Sequence, residues 1–64
     1  MRLTEFWTRM QEQFGVAYAE SIATDQVLSE LGGRSVRDAL ATGEDPKVVW
    51  RAVCAAFDVP ARNR

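Results

Sequence analysis

Residues 45–57, DPKVVWRAVCAAF, are the segment that most constrains the fold. At 100° per residue, apolar side chains would cover almost the whole circumference of a helix here, and one narrow polar strip would hold Lys47, Arg51 and, just beyond the segment, Asp58. Asp45, a favourable N-cap residue, and Pro46 at the first helical position mark the start of this helix. A helix that is apolar almost all round is normally buried, so the remaining chain or a partner must surround it.

The N-terminal segment predicts an amphipathic helix, with Thr4 as its N-cap and Gly15 at its end. Glu5 in the first turn complements the helix dipole, and its spacing predicts an i,i+4 ion pair with Arg9. The apolar face, which we expect to turn toward the core, consists of Phe6, Trp7, Met10 and Phe14.

The apolar pattern of residues 16–31 does not fit one straight helix, because a single helical stripe leaves Leu28 outside it. A break at Thr24 or Asp25 removes this conflict and predicts two short helices, the second of them capped by one of these two residues. The first helix would bury Tyr18, Ala19, Ile22 and Ala23, and the second would bury Val27, Leu28 and Leu31. One kinked helix is the alternative.

Glycines and a capping pattern delimit the next helix. Gly32 and Gly33 supply the positive φ that helix ends commonly need. Ser35, with Asp38 three residues later, matches a capping box and starts a two-turn helix that Gly43 ends. The inward side chains of this helix should be Val36, Ala39 and Leu40. No segment alternates convincingly with period two, so the sequence predicts no sheet.

These signals predict an all-α fold, a compact bundle of four to five short helices around a buried C-terminal helix. Residues 1–60 should form a single helical domain that ends at Pro60, and residues 61–64 should form a frayed tail. The predicted core consists of Leu3, Phe6, Trp7, Met10, Phe14, Ile22, Val27, Leu28, Leu31, Val36, Leu40, Val49, Trp50, Val53 and Phe57.

Composition and charge limit the setting in which the protein works. A net charge of −1 gives no global attraction to nucleic acid or to an anionic membrane. One cysteine cannot form an internal disulfide, which favours a reducing cytosol. The N-terminus lacks the apolar run of a secretory signal, and no window reaches the roughly 18 apolar residues of a membrane span. We therefore predict a cytoplasmic protein without membrane contact.

The chain offers little support for catalysis. It has no histidine, which is the usual general base and the commonest metal ligand. Cys54 has no histidine to activate it and lies among apolar residues, which indicates a core position. Glu44 and Asp45 are adjacent carboxylates, but acids are favoured at a helix start for capping and dipole reasons. The prediction is a protein that is not an enzyme and that uses no cofactor or metal ion.

Residues 28–41 also fit a helix-turn-helix interpretation, with two short helices around a glycine turn. The cations available to nucleic acid would be Arg34, Arg37, Arg51, Arg62 and Arg64. Against this, Asp38 lies in the would-be recognition helix and the sequence pI is about 5.2, whereas DNA-reading domains usually carry a distinct basic face. Nucleic-acid binding is therefore the alternative function.

The favoured function is that of a protein–protein adaptor or regulator. Large aromatic residues and arginines dominate interface energetics, and a domain of this size has little room to bury two tryptophans fully. A partly exposed Trp7, or a partly exposed Trp50 beside Arg51, is the expected partner anchor. The candidate partner contacts are Trp7, Arg34, Arg37, Trp50 and Arg51. The second side of the C-terminal helix is also apolar and could pack on a partner or a second copy through Val48, Ala52 and Ala55.

Short stretches along the whole chain carry a family resemblance. They are MRLTEFW at residues 1–7, FG at 14–15, YA at 18–19, VLSELGGR at 27–34, VWRAVC at 49–54 and AFDVP at 56–60. Through them the chain resembles a family of short actinobacterial proteins classed as a domain of unknown function. The resemblance implies a stand-alone cytosolic protein and defines no catalytic residue. Genes of this family often lie near those of the recombinase A system, which implies a DNA-repair context for the nucleic-acid alternative.

Overall fold

The computed structural model describes residues 1–60 and residue 62. The α-helices in this part of the chain are α1 (Leu3–Phe14), α2 (Val16–Asp25), α3 (Val36–Ala41) and α4 (Pro46–Phe57). Between α2 and α3, the strands β1 (Val27–Leu28) and β2 (Arg34–Ser35) flank a 3-10 helix, Ser29–Leu31. The predicted helical bundle is thus confirmed in its main elements. The purely all-α class is wrong, because the two strands form a small antiparallel sheet.

Helix α4 lies at the centre of the fold, as the sequence predicts. Its buried residues are Val49, Trp50, Ala52, Val53 and Cys54. The helix packs against α1, α3, β1 and the 3-10 helix. Burying one large apolar side chain stabilises a fold by about 1.5–3 kcal/mol, so the side chains of α4 supply a large part of the stability of this small domain. Four other elements therefore bury one broad side of this helix. Its opposite side stays exposed at Lys47, Val48, Arg51, Ala55 and Ala56.

The predicted starts of α3 and α4 are confirmed. The Asp45 side chain accepts a hydrogen bond from the Lys47 N–H at 2.9 Å, and Pro46 occupies the first turn. The Ser35 hydroxyl oxygen accepts a hydrogen bond from the Asp38 N–H at 3.1 Å. Each bond satisfies a backbone donor that the helix itself leaves unpaired.

The predicted N-cap of α1 is wrong. The helix begins at Leu3, and Arg2 occupies the cap position without a side-chain hydrogen bond. The Phe6 N–H already donates to the Arg2 carbonyl oxygen at 3.0 Å, which starts the helix before Thr4. Thr4 therefore lies inside the first turn, where its carbonyl oxygen accepts a hydrogen bond from the Thr8 hydroxyl at 3.0 Å. Gly15 ends the helix as predicted, with a φ of 84°.

The break near residue 25 is confirmed, but the second helix predicted beyond it is wrong. Helix α2 ends at Asp25, and Val27 and Leu28 pair antiparallel with Ser35 and Arg34. Neighbouring strand residues point to opposite faces, so Val27 is exposed while Leu28 is buried. A 3-10 helix has three residues per turn, and Leu31 therefore returns to the core side without an α-helix.

Two consecutive glycines allow this tight reversal. Gly32 and Gly33 have φ values of 69° and 79°, a region that side-chain-bearing residues rarely adopt. The Gly33 N–H donates to the Leu28 carbonyl oxygen at 3.0 Å, which closes the turn between the strands. The glycines thus end an element as predicted, but that element is the 3-10 helix Ser29–Leu31 and not an α-helix.

Most of the predicted core is confirmed. The buried members are Phe6, Met10, Ile22, Leu28, Leu31, Val36, Val49, Trp50 and Val53, and the half-buried members are Trp7, Phe14, Leu40 and Phe57. Leu3 and Val27 are exposed, so their core assignments are wrong. Leu3 lies in the first turn of α1, outside the cluster of buried core residues. Tyr18, expected to face inward, is 57% exposed, because the small side chains of Ala19 and Ala23 fill the buried face of α2.

Val59 is a core residue that helical periodicity could not reveal. Helix α4 ends at Phe57, and Asp58 takes a left-handed conformation with φ 55°. The Val59 N–H then donates to the Cys54 carbonyl oxygen at 3.1 Å, and the Val59 side chain is 1% exposed. This is a common way to end a helix with a hydrophobic contact. The predicted frayed tail, residues 61–64, lies outside the described residues except for Arg62, which is exposed.

Candidate functional site

Trp7 and Arg37, two of the predicted partner contacts, lie together at the surface. The guanidinium carbon of Arg37 is 4.9 Å from the centroid of the Trp7 ring, which is a cation–π distance. Nη2 of Arg37 donates to both carboxylate oxygens of Glu20 at 2.6 Å, and Nε donates to the Thr24 hydroxyl at 3.3 Å. Helices α1, α2 and α3 therefore meet at these four residues, which we refer to as the tryptophan–arginine surface.

The local structure explains why these side chains meet. Trp7 lies at the edge of the apolar face of α1, half-buried, with its ring edge-to-face on Phe6 at 5.3 Å. Arg37 belongs to the first turn of α3, whose start is fixed by the Ser35 cap. The Arg37 and Glu20 side chains are 48% and 59% exposed, so their ion pair contributes only about 0–1 kcal/mol to stability. The main effect of the ion pair is to position the Arg37 guanidinium, and its contribution to the stability of the fold is small.

Arg34 lies apart from this surface and is held within its own turn. Its Nε donates to the Leu31 carbonyl oxygen at 2.8 Å, and its Nη1 donates to the Thr42 hydroxyl at 2.9 Å. Its Nη2 pairs with the Glu44 carboxylate at 3.3 Å. Arg34 thus connects β2 to the 3-10 helix and to the segment before α4.

The helix-turn-helix interpretation of residues 28–41 is wrong. A strand pair and a 3-10 helix precede α3, and α3 itself has six residues. Arg34 and Arg37 bind Glu44 and Glu20, so they do not form the open basic face of a DNA-reading helix. The nucleic-acid alternative loses these two cations. Arg64, also named for it, lies outside the described residues.

Trp50 is buried, in contrast to the partly exposed anchor that the sequence suggests. It is 3% exposed, and its ring lies edge-to-face on Phe6 at 6.1 Å. Its indole Nε1 is buried and has no hydrogen-bond acceptor within residues 1–60 and 62. Leaving a buried donor unpaired costs about 1–3 kcal/mol, and the packing of α4 must offset this cost. Trp50 is therefore a core residue first.

Arg51 lines a surface cleft of about 660 Å³ between α1 and α4. The lining residues are Met1, Glu5, Arg9, Lys47, Trp50, Arg51 and Cys54, and we refer to this site as the basic cleft. Glu5 and Arg9 pair at 3.2 Å, as their spacing predicts. Lys47 and Arg51 form no ion pair within the described part of the chain. Three cations therefore line the cleft together with one carboxylate.

The sequence predicted that Lys47 and Arg51 share one strip of α4, because their i,i+4 spacing puts both on one side of the helix. It did not predict that Arg9 of α1 lines the same cleft. The part of α1 that lies beside Lys47 and Arg51 depends on how α1 and α4 pack. No local sequence pattern specifies that packing, so Arg9 could not be assigned to the site.

A chain of three aromatic rings also joins separate helices. Phe14 lies edge-to-face with Tyr18 at 6.0 Å and with Phe57 at 5.5 Å between ring centroids. The contacts connect the C-terminal ends of α1 and α4 to the start of α2. Phe14 and Phe57 are half-buried, so the group extends the core to the surface at Tyr18.

The apolar second side of α4 is only partly available for self-association. Val48 is 43% exposed and Ala55 is exposed, as the hypothesis requires. Ala52, however, is 6% exposed, because the protein's own chain covers it. The predicted three-residue surface is therefore wrong at its central member.

The residues that the structure describes contain neither a membrane-spanning helix nor a cluster of metal ligands. None of their helices combines the length and the apolar character that crossing a bilayer requires. Nor do they contain a group of three or more His, Cys, Asp or Glu residues arranged to hold a metal ion.

Comparison with known proteins confirms the family resemblance. A Mycobacterium tuberculosis protein, described provisionally as an envelope-preserving system protein, is 47% identical to this chain over 36 residues. The match covers 56% of this chain and 13% of that protein, so the chain spans a small part of its relative's length. No solved structure matches the chain. The model of the family described as "Protein of unknown function (DUF3046)" matches residues 1–62. The chain therefore belongs to this family.

Proposed function

We propose that this protein is a non-catalytic adaptor or regulator in the cytoplasm, which binds a protein partner through the tryptophan–arginine surface. The observation that carries the proposal is the Arg37 guanidinium, 4.9 Å from the ring of a half-buried Trp7. Tryptophan and arginine are among the residue types that dominate the binding energy of protein interfaces. The non-catalytic part rests on the sequence, which has no histidine and no activated nucleophile.

Preorganisation favours this surface over the other exposed side chains. Fixing a long side chain at an interface costs about 0.5–1.5 kcal/mol of binding free energy. Glu20 and Thr24 already fix Arg37 in the free protein, so part of this cost is met before a partner arrives. The partly exposed indole beneath the guanidinium then supplies apolar area at little further cost.

The other predicted contacts receive different roles in this proposal. Arg34 is engaged with Leu31, Thr42 and Glu44 and serves the turn. Trp50 serves the core, since it is almost fully buried. Arg51 belongs to the basic cleft, a separate set of residues. The partner surface is therefore assigned to Trp7 and Arg37 with their neighbours on α2.

The mycobacterial relative supports the idea of a module. The matched segment forms 13% of that protein, so the same pattern recurs within a longer polypeptide. The description of that relative concerns an envelope-preserving system and applies to the relative. For this chain we propose a cytoplasmic partner, and fractionation of source cells should recover the protein with the cytoplasm and not with the envelope.

Partner capture with matched arginine variants tests the proposal. The folded protein is immobilised and exposed at moderate salt to extract of its source organism, once with nuclease treatment and once without. The wild type and Arg2→Ala should retain one protein in near-stoichiometric amount, and Arg37→Ala should weaken its binding roughly 30-fold. Arg2 is a suitable control because it is exposed and its side chain makes no hydrogen bond or ion pair within residues 1–60 and 62. Thermal melts verify that both variants fold.

Two results would count against the proposal. Equal retention by Arg37→Ala and wild type would mean that the partner binds elsewhere. Loss of all bound material after nuclease treatment, with binding that weakens steeply with salt, would favour the nucleic-acid alternative. Sedimentation of the purified protein separates a second copy of this chain from a different partner, because self-association alone requires no extract.

A further inference from the structure

The basic cleft has an excess of positive charge, and among residues 1–60 and 62 no ion pair from outside the lining neutralises it. Arg9, Lys47 and Arg51 line it, and Glu5 is the one carboxylate among its lining residues. Glu5 is engaged with Arg9 at 3.2 Å. Lys47 and Arg51 lie one helical turn apart on α4, about 5–6 Å between Cβ atoms, and neither is ion-paired within the described residues. The local excess contrasts with a chain whose net charge is −1.

The walls of the cleft suit a small molecule. Its volume of about 660 Å³ is within the usual range of ligand sites, about 300–1,000 Å³. Trp50 and Cys54 give it an apolar wall, while the cations lie on two different helices. A ligand that brings oxygen acceptors therefore meets charged donors on both helices, from Arg9 on α1 and from Lys47 and Arg51 on α4.

We propose that the basic cleft binds a small molecule that carries a phosphate or diphosphate group, held by Arg9, Lys47 and Arg51. Arginine matches the geometry of phosphate oxygens with paired donors, and lysine contributes a compact charge. A phosphate monoester or diphosphate carries about two or more negative charges at pH 7, which balances the excess of two cations over Glu5. A nucleic-acid strand would need further cations beyond the cleft, and Arg34 and Arg37 are engaged with carboxylates.

The two tryptophan indole resonances allow a direct test by nuclear magnetic resonance. Trp50 lines the cleft, whereas Trp7 does not, so each titration carries its own internal control. Inorganic pyrophosphate added to the ¹⁵N-labelled protein at constant ionic strength should shift the Trp50 indole signal saturably and leave the Trp7 signal in place. A Trp7→Phe variant assigns the two signals.

Charge-neutralising variants identify the residues that hold the anion. Lys47→Gln with Arg51→Gln should weaken pyrophosphate binding about a hundredfold, since each charge-assisted hydrogen bond contributes about tenfold. Arg62→Gln removes one positive charge outside the cleft lining and should leave the affinity within about twofold, whereas Arg51→Gln alone should weaken it about tenfold. All these positions are exposed, and a thermal melt verifies the fold of each variant.

Three outcomes would overturn the proposal. One is no saturable Trp50 shift with pyrophosphate. Another is an equal loss of affinity in Arg62→Gln, which would indicate general charge screening. The last is a shift produced by a short single-stranded oligonucleotide and not by pyrophosphate, which would reject the small-molecule ligand. Because the cleft and the tryptophan–arginine surface share no residue, failure of one proposal leaves the other in place.

Discussion

At the scale of single residues, Phe6 connects the surface to the core. Its ring contacts Trp7 at 5.3 Å and Trp50 at 6.1 Å, both edge-to-face, and its side chain is fully buried. Such aromatic pairs contribute about 0.5–1.5 kcal/mol each beyond the area they bury. Phe6 therefore packs against the half-buried Trp7 ring from the core side.

Truncation of this ring should be among the most damaging single changes. We expect Phe6→Ala to lower the free energy of unfolding by about 3–5 kcal/mol, because it leaves a cavity and removes two aromatic contacts. Tyr18→Ala, at a 57% exposed aromatic position, should cost much less. Chemical denaturation monitored by circular dichroism measures both changes. A Phe6→Ala loss no larger than that of Tyr18→Ala would contradict the central position of Phe6.

For the two tryptophans, the sequence could not predict how far each side chain is buried. Helical spacing predicts that both Trp7 and Trp50 lie on apolar faces. The wheel of α4 is apolar almost all round, so it does not indicate which side the neighbouring helices cover. Trp50 is fully packed and Trp7 is partly open as a result of tertiary packing. The sequence named both as partner anchors, and only Trp7 has the required exposure.

At the level of helices and turns, the sequence predicted the helix ends that depend on one capping side chain or one glycine. The Asp45 and Ser35 caps and the Gly15 end all follow from donors and dihedral angles within a few residues. The segment after α2 was not predictable in this way. Its apolar residues Leu28 and Leu31 fit an α-helix and a 3-10 turn equally well, and strands of two residues are too short to show an alternating pattern.

The cap of α4 provides an element-scale prediction. Asp45→Ala removes the acceptor for the Lys47 N–H and should lower the free energy of unfolding by about 1 kcal/mol, with a range of 0.5–2. Glu12→Ala, at an exposed acid in the last turn of α1, should change it by no more than about 0.5 kcal/mol. The two midpoints of urea denaturation give the comparison. Equal midpoints for the two variants would mean that the cap does not hold the helix start.

In the whole molecule, the bundle around α4 was predictable, and the grouping of the site residues was not. A helix that is apolar almost all round must be largely buried, which follows from the order of residues within it. The tryptophan–arginine surface and the basic cleft each combine side chains from separate helices. Arg37 pairs with Glu20, 17 residues away in sequence, and no periodicity within one helix encodes that contact.

Photo-crosslinking in living source cells tests whether the protein binds its partner through the surface at Trp7 and Arg37. A photoreactive phenylalanine analogue replaces one of two matched alanines. Ala17 is exposed on α2, one turn before Glu20, and Ala55 is exposed on the second side of α4. Thermal melts of both labelled proteins verify that each retains its fold.

We expect the analogue at Ala17 to form a discrete adduct with one cytoplasmic protein, and we expect that adduct to disappear when Arg37→Ala is added. The analogue at Ala55 should yield no adduct of that size. An adduct from Ala55 alone, or one from Ala17 that persists in Arg37→Ala, would contradict the account and move the interface to another face of the molecule.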